Sequence, residues 1–377
     1  MTRSSVSNVL VAGGGLAGMT LATALAKSGV AVDLIEIQPQ WNVLGVGISV
    51  QGPTLRALRS IGLLERCLDA GFGYSQVVDC DQHGKVFGTV DLPRLIGPQF
   101  PSCLGMMRPA LHDVLHAALI AAGVTPRLGQ SVEALADRAD AIEATFSDSS
   151  RRCYDLVVGC DGAYSRIREL VFGEAPAPLY TGQAVWRAMV PRPANVTART
   201  AYYGPRHKAG FNPVSQQEMY VYLVQNVSGD PRLEPDRWPA VMRELLMDFG
   251  GYIGEIRDTI TDPARIVYRP VEKLLLPKPW HRGRTIVIGD AAHIAPPQLA
   301  SGAAIAIEDA IVLAEMLPAD RPLKEILAAF VARRFERCRL VVENSYQLGE
   351  WEKNPNLPGA DPVGLQSKSF AALAQPI

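Results

Sequence analysis

The sequence predicts an α/β protein: a strand-helix-strand nucleotide unit with a mostly parallel sheet, interleaved with an antiparallel-sheet domain and followed by a C-terminal helix. Three observations predict it. Apolar, strand-like runs end in glycine turns at Gly13, Gly159 and Gly289; an aromatic-rich, strand-like stretch separates the second turn from the third; and the last long segment has helical character.

Residues 8–12 form a short apolar run suited to a buried parallel strand, and the turn after them fits Gly-x-Gly-x-x-Gly at Gly13, Gly15 and Gly18. Gly13 permits the tight turn, Gly15 lets the backbone approach a pyrophosphate, and Gly18 lets the helix lie close on the strand. Leu16 and Ala17 open that helix, expected over 17–28, with its N-terminal NH groups and positive dipole end facing the phosphates. A second strand at 31–35 runs into Glu36, 23 residues beyond Gly13, where a carboxylate receives both hydroxyls of an adenosine ribose. The same charge repels a phosphate on that ribose, so the bound nucleotide is FAD or NAD rather than NADP.

At 377 residues and 48% hydrophobic content the chain can bury a large core. Its net charge of −1 gives no general attraction to nucleic acid or to an anionic membrane. Six cysteines without a C-x-x-C pair read as small apolar residues in a reducing, cytoplasmic compartment. His112 and His116 stand four apart on an expected helix, but Asp113 replaces the glutamate of the metalloprotease pattern, and no metal is expected. Residues 9–26 are apolar, yet the glycines at 13, 14, 15 and 18 belong to the nucleotide turn and argue against a signal peptide or membrane span.

Further along, helices are expected over 54–68 and 109–122, with short strands between, and a buried strand at 155–158. Residues 180–227 read as an antiparallel sheet, 284–288 as a strand and 302–316 as a helix. A last helix over 323–348 carries Arg333, Arg334, Arg337 and Arg339 among glutamates and is expected to be solvated or dimer-facing. The resulting division places 1–75, 105–175 and 270–320 in a nucleotide domain, 76–104 and 176–269 in a substrate domain, and 321–377 in a helical segment and tail.

The set Gly13-Gly14-Gly15-Leu16-Ala17-Gly18, Gly159-Cys160-Asp161-Gly162 and Gly289-Asp290-Ala291-Ala292-His293, in this order, resembles the single-component FAD-dependent aromatic hydroxylases. That group includes p-hydroxybenzoate, salicylate and 6-hydroxynicotinate hydroxylases, and the resemblance covers roughly residues 8–350. It implies a Rossmann-type FAD-binding domain, NADH or NADPH as a transient electron donor, a homodimer, and O2-dependent hydroxylation of an aromatic or N-heteroaromatic ring through a flavin C4a-hydroperoxide. The alternatives are another flavin reaction on the same fold (N-oxidation, epoxidation, or reduction and dehydrogenation) and a flavin-binding protein without catalysis. Residue by residue, the resemblance implies that Asp161 touches FAD, that Asp290, following Gly289, accepts from a ribityl hydroxyl, and that Arg108 lies against the ribityl and phosphate portion. It also implies that Gly47, in Gly45-Val46-Gly47-Ile48, leaves room beside the isoalloxazine. Pro297 precedes a helix start at Gly302, Ala303 and Ala304 whose NH groups favour negative charge on the reduced flavin. Ala300, Ser301 and Ala304 depart from the family's usual residues, so side-chain contacts there do not carry over, while His293 closes its motif structurally.

Substrate contacts are sought by strand alternation. Gln183 and Arg187 share one face and Trp186 points to the other, so Arg187 can hold a substrate carboxylate or form a plain salt bridge. Tyr220 and Tyr222 share a face and line either a pocket or the core. His207 and Tyr203, near a strand end, join Tyr222 and Arg187 as acid-base candidates, and Pro297 joins the substrate contacts.

Overall fold

A computed structural model describes residues 6–43, 45–229 and 232–377. Asn8–Ala12 occupies an inner position of a six-stranded sheet, as a run that is apolar on both faces must: Val9, Leu10 and Val11 are fully buried. Across that sheet the order is His281–Arg282, Thr285–Val287, Leu156–Gly159, Asn8–Ala12, Ala31–Glu36, Arg127–Leu128, parallel throughout except for the hairpin at the first edge. Three neighbouring strands therefore end at the same edge of the sheet, and the turns at Gly13, Gly159 and Gly289 gather there. That carboxyl edge is where open α/β sheets bind ligands.

The first of these turns leads directly into a helix. Leu16–Lys27 carries Lys27 in its last turn and packs on Gly302–Met316, whose residues from Ala304 to Ala314 are all buried because it is sandwiched on every side.

A second, eight-stranded sheet is mostly antiparallel, in the order His293–Ile294, Ile266–Leu275, Leu179–Pro191, Glu218–Asn226, Lys208–Pro213, Arg199–Tyr203, Gln76–Asp81, Val86–Asp91. Alternation sets its two faces. Ala184, Trp186 and Ala188 point outward into a core closed by the helices Trp238–Leu245 and Gly251–Arg257. Val185, Arg187, Lys208, Tyr220 and Tyr222 lie on the other face, in register across three strands.

The structure corrects several expectations. The helix expected over 54–68 is two, Gly52–Ser60 and Leu64–Ala70, because Gly62 between them adopts φ +74°, a left-handed conformation that ends a helix. The last helix runs from Leu323 to Lys353, and a further helix, Pro362–Ala374, follows where a tail was expected. Its start carries a legible signal: Asp361 caps the Gly364 NH at 2.8 Å and Pro362 takes the first helical position. Ile266–Leu275 passes uninterrupted through the boundary drawn at residue 270. Cys103–Met107 pairs with Gly47–Gln51 and Gly71–Tyr74 in a small separate sheet. Among the described residues no helix is long and apolar enough to cross a membrane.

Candidate active site

At the first turn, Gly13 has φ +110°, and a side chain there would run into the carbonyl of Cys160. One at Gly18 would collide with the carbonyl oxygen of Gly13, so these two glycines set the distance between helix and strand. Gly15 differs: a Cβ built on it meets nothing within 4 Å, which leaves the helix start accessible to an anion. The Glu36 carboxylate is oriented by two backbone donors, Gly14 NH at 2.8 Å and Gln38 NH at 2.9 Å, one on each oxygen. Each oxygen keeps a lone pair for a ribose hydroxyl.

Arg108 opens the helix Arg108–Ala121 and lays its methylenes against Gly45, where a Cβ would stand 2.7 Å from its Cδ. It faces Asp290 across the cleft between the two large sheets. Solvent reaches both side chains, yet both lie deep enough for desolvation to dominate. Burial lowers the Arg108 pKa, with Arg187 and Arg269 pushing the same way, and burial raises that of Asp290 against the pull of His293 and Arg108.

The second turn is braced by its own side chains. Both Asp161 oxygens are committed, Oδ1 to the Ser165 hydroxyl at 2.5 Å and Oδ2 to the Ile167 NH at 3.0 Å. Ser165 in turn caps the helix Arg166–Phe172 by accepting from the Arg168 NH at 2.9 Å. Asp161 thus braces the start of the helix that follows it. The buried Arg168 continues the chain, donating to Ala291 O at 3.0 Å and to Ala163 O at 2.8 Å.

The third turn is held from below. His293, 1% exposed, places Nε2 2.7 Å from Asp309, which also accepts from the Gly289 NH at 3.1 Å and from Arg334 at 2.7 Å. Glu308 binds Arg334 at 3.0 Å and Arg337 at 2.7 Å. Burial opposes the His293 charge, but Cys338 and Asp309 outweigh it and hold the imidazole pKa well above its usual value. Asp309, with burial overcome by His293 and Arg334, falls to about 2. His293, Asp309 and Cys338 offer ligand atoms within 4.8 Å of one another, but Arg334 already supplies the positive charge there that a metal ion would bring. The expectation of a solvated Arg334 is overturned by this burial, which the exposed Arg339 does not share.

Above these turns a cavity of about 60 Å³ opens beneath the eight-stranded sheet, lined on one side by Val185, Arg187, Arg199, Lys208, Tyr220, Tyr222 and Val224 and on the other by Ser49, Pro297, Gln298, Ala300 and Glu352. Gly210, opposite Tyr222 in register, leaves room for its ring. Gln298 donates to Gln183 and to Glu352, both at 3.0 Å, and Lys208 lies 3.5 Å from Glu352. Burial works against the Lys208 charge, and Glu352 outweighs it, raising the ammonium pKa.

The FAD binding domain family matches residues 6–345. The chain belongs to that family. This flavoprotein is 31% identical to 2-heptyl-3-hydroxy-4(1H)-quinolone synthase of Pseudomonas aeruginosa, over 91% of this chain and 90% of that protein. It is 30% identical to aurachin C monooxygenase/isomerase of Stigmatella aurantiaca, over 91% of this chain and 90% of that protein. Its fold is that of Klebsiella pneumoniae HpxO solved with FAD and uric acid, at TM-score 0.84 and 21% identity, covering 97% of this chain and 92% of that one. The flavoprotein is an FAD-dependent monooxygenase of the aromatic hydroxylase group.

The residues present fit FAD. The accessible turn at Gly15, the oriented Glu36, Asp290 open to the cleft opposite Arg108, and the helix start at Gly302, Ala303 and Ala304 follow one another along the carboxyl edge. A Cβ at Gly47 would strike the Tyr220 ring, so that glycine makes room for a tyrosine. Of the substrate candidates, Arg187, Tyr220, Tyr222 and Pro297 meet in the small cavity, whereas Gln183, Tyr203 and His207 line a larger neighbouring one. Tyr203 is 43% exposed and donates to Asp79 at 3.2 Å, and His207 is turned from the reaction pocket, its pKa lowered by burial and Arg206. Neither is placed to act as acid or base on a ring held at Arg187.

Sequence reasoning missed Arg199, Lys208, Gln298, Ser49 and Glu352. Lys208 was within reach, since alternation from Tyr222 through the paired strand brings it to the same face as Val224. Glu352 gave no signal, because it comes from the far end of the helix Leu323–Lys353.

Proposed function

We propose that this monooxygenase hydroxylates a heteroaromatic ring that carries an ionisable hydroxyl or carboxyl group, with NADH or NADPH and O2 as co-substrates. The observation that carries this reading is the cavity wall itself: Arg187, Arg199 and Lys208 face one small space, and among the described residues Arg187 makes no ion pair. Three cations around one site favour an anionic ligand and lower the pKa of a ring hydroxyl. A deprotonated hydroxyl enriches its ring in electron density, as electrophilic oxygen transfer requires.

When bound, FAD accepts hydride from the nicotinamide and activates oxygen; the protein's work is to bind, orient and keep the site dry. Arg187 would hold the acidic group in a charge-assisted pair, and the Tyr222 and Tyr220 rings, 6.3 Å apart, would set the plane of the substrate. Glu352, a carboxylate on the facing wall 3.5 Å from Lys208, would receive the proton. The NH groups at Gly302–Ala304 would stabilise negative charge on the reduced cofactor. Six free cysteines support a reducing, cytoplasmic setting, while a homodimer rests on family resemblance alone.

The test is oxidation of NADH and NADPH by the purified yellow protein in the presence of hydroxypyridines, hydroxybenzoates and hydroxyquinolines, with mass spectrometry of each product. A ring acid that stimulates oxidation and gains one oxygen atom supports the reading. Oxidation that gives only peroxide with every ring acid would sink it.

A further inference from the structure

Lys208, Val224, Gln298 and Glu352 line two cavities at once. On one side is the small cationic pocket. On the other is a space of about 430 Å³ between the eight-stranded sheet and the two C-terminal helices, with Leu348 and Trp351 from Leu323–Lys353, Val363 from Pro362–Ala374 and Phe87 from the edge strand Val86–Asp91. Phe87 is 65% and Val363 78% exposed, so large apolar side chains stand in water around an already apolar space.

The partition between the two includes a set of side-chain contacts: the Lys208–Glu352 pair at 3.5 Å, and Gln298 donating to Gln183 and Glu352. Gly349 makes this possible, since a Cβ there would stand 2.8 Å from Gln183 Oε1 and push the partition apart. Long, unbranched side chains can swing aside without moving the backbone that carries them.

We propose that the larger cavity binds an apolar chain attached to the substrate ring, and that the Lys208–Glu352 pair is the gate through which ring and chain are joined. This rests on the proposed function for the identity of the ring. A molecule that satisfies both spaces has an acidic aromatic head, matched to Arg187, and an extended aliphatic tail, matched to Trp351, Leu348 and Val363. A small hydroxypyridine would fill the first and leave the second to water.

The experiment titrates the holoprotein with a series of 2-alkyl-4-hydroxyquinolines, from methyl to heptyl, and reads affinity from the perturbation of the flavin absorbance. Each added methylene is expected to tighten binding by about fourfold until the cavity is full, the factor for complete burial of one CH2. Val363→Glu, at a surface position where folding is insensitive, should flatten that gradient, and Trp351→Ala should reduce it. An affinity that is flat or falls with chain length, a gradient that both variants leave intact, or no binding by any member overturns the assignment. The gradient is a binding measurement, so it separates the two readings. A steep gradient without oxygenation supports the cavity and counts against the hydroxylase substrate; oxygenation of the methyl compound with a flat gradient does the reverse.

Discussion

The Arg168 guanidinium donates to the carbonyl oxygen of Ala291 at 3.0 Å, joining the helix that follows Asp161 to the turn that carries Asp290. Two glycine turns far apart in sequence are thereby locked as one surface. Arg168→Ala should leave the buried carbonyl of Ala291 and the half-buried one of Ala163 without this donor and destabilise the protein by about 2–3 kcal/mol. Because the lost bond holds the Asp290 turn, retained FAD after gel filtration should fall more steeply than the denaturation midpoint. Full occupancy in a destabilised variant would show that the tie is purely structural.

The glycines of the first turn should separate by function. Gly15→Val places its side chain in accessible space, so the variant should fold with near-normal thermal stability and purify colourless. Gly18→Val meets the Gly13 carbonyl and should lose several degrees of stability whether or not flavin is present. Differential scanning calorimetry beside flavin absorbance reads both outcomes, and equal behaviour of the two variants would count against the distinction.

Asp290→Ala removes an acid that faces the cleft, not the core, and should lower FAD occupancy by about tenfold or more while the far-ultraviolet circular dichroism is unchanged, in line with a lost hydrogen bond to a charged group. A yellow, fully loaded variant would mean that Asp290 does not touch the cofactor.

Arg187→Gln should raise KM for acidic ring substrates by about 10- to 100-fold, the scale of a charge-assisted pair, with FAD content and the unstimulated NADH oxidation intact. A neutral ring analogue should bind the variant and the parent alike. Equal losses for acidic and neutral ligands would place Arg187 in the architecture of the sheet instead.

The buried His293–Asp309 pair gives a pH signature of stability. His293 titrates higher in the folded chain than in the unfolded one, where its value is about 6.5. Its contribution is therefore complete below about pH 6.5 and is lost as pH rises through the raised folded value. Asp309 works in the opposite direction, contributing fully above about 4 and losing its share as pH falls toward about 2. Urea midpoints measured from pH 6 to 9 should decline, and His293→Asn should weaken that decline. An identical slope in the variant would show that another group carries it.

Much of the nucleotide half was legible in the sequence because its signals are local. A buried parallel strand is apolar on both faces, a phosphate turn needs glycine at fixed offsets, and an acid follows one strand later, so Gly13, Gly15, Gly18 and Glu36 announce themselves within a span of 24 residues. Alternation likewise put Arg187, Tyr220 and Tyr222 where a pocket could use them. Local pattern left out what lies opposite. Gly47 faces Tyr220, which is 173 residues away, and Asp161 braces its own helix start. The partition between the two cavities, Lys208 against Glu352 and Gln183 against Gln298, joins a strand, a turn and the end of a helix that no periodicity connects. By itself the sequence determined the nucleotide turn, the acid that ends the next strand and the faces of the strands, since each is set by rules acting over a few residues. Only the tertiary structure decided which cations share a cavity and which carboxylate stands beside them, since that follows from how the sheet and the C-terminal helices pack.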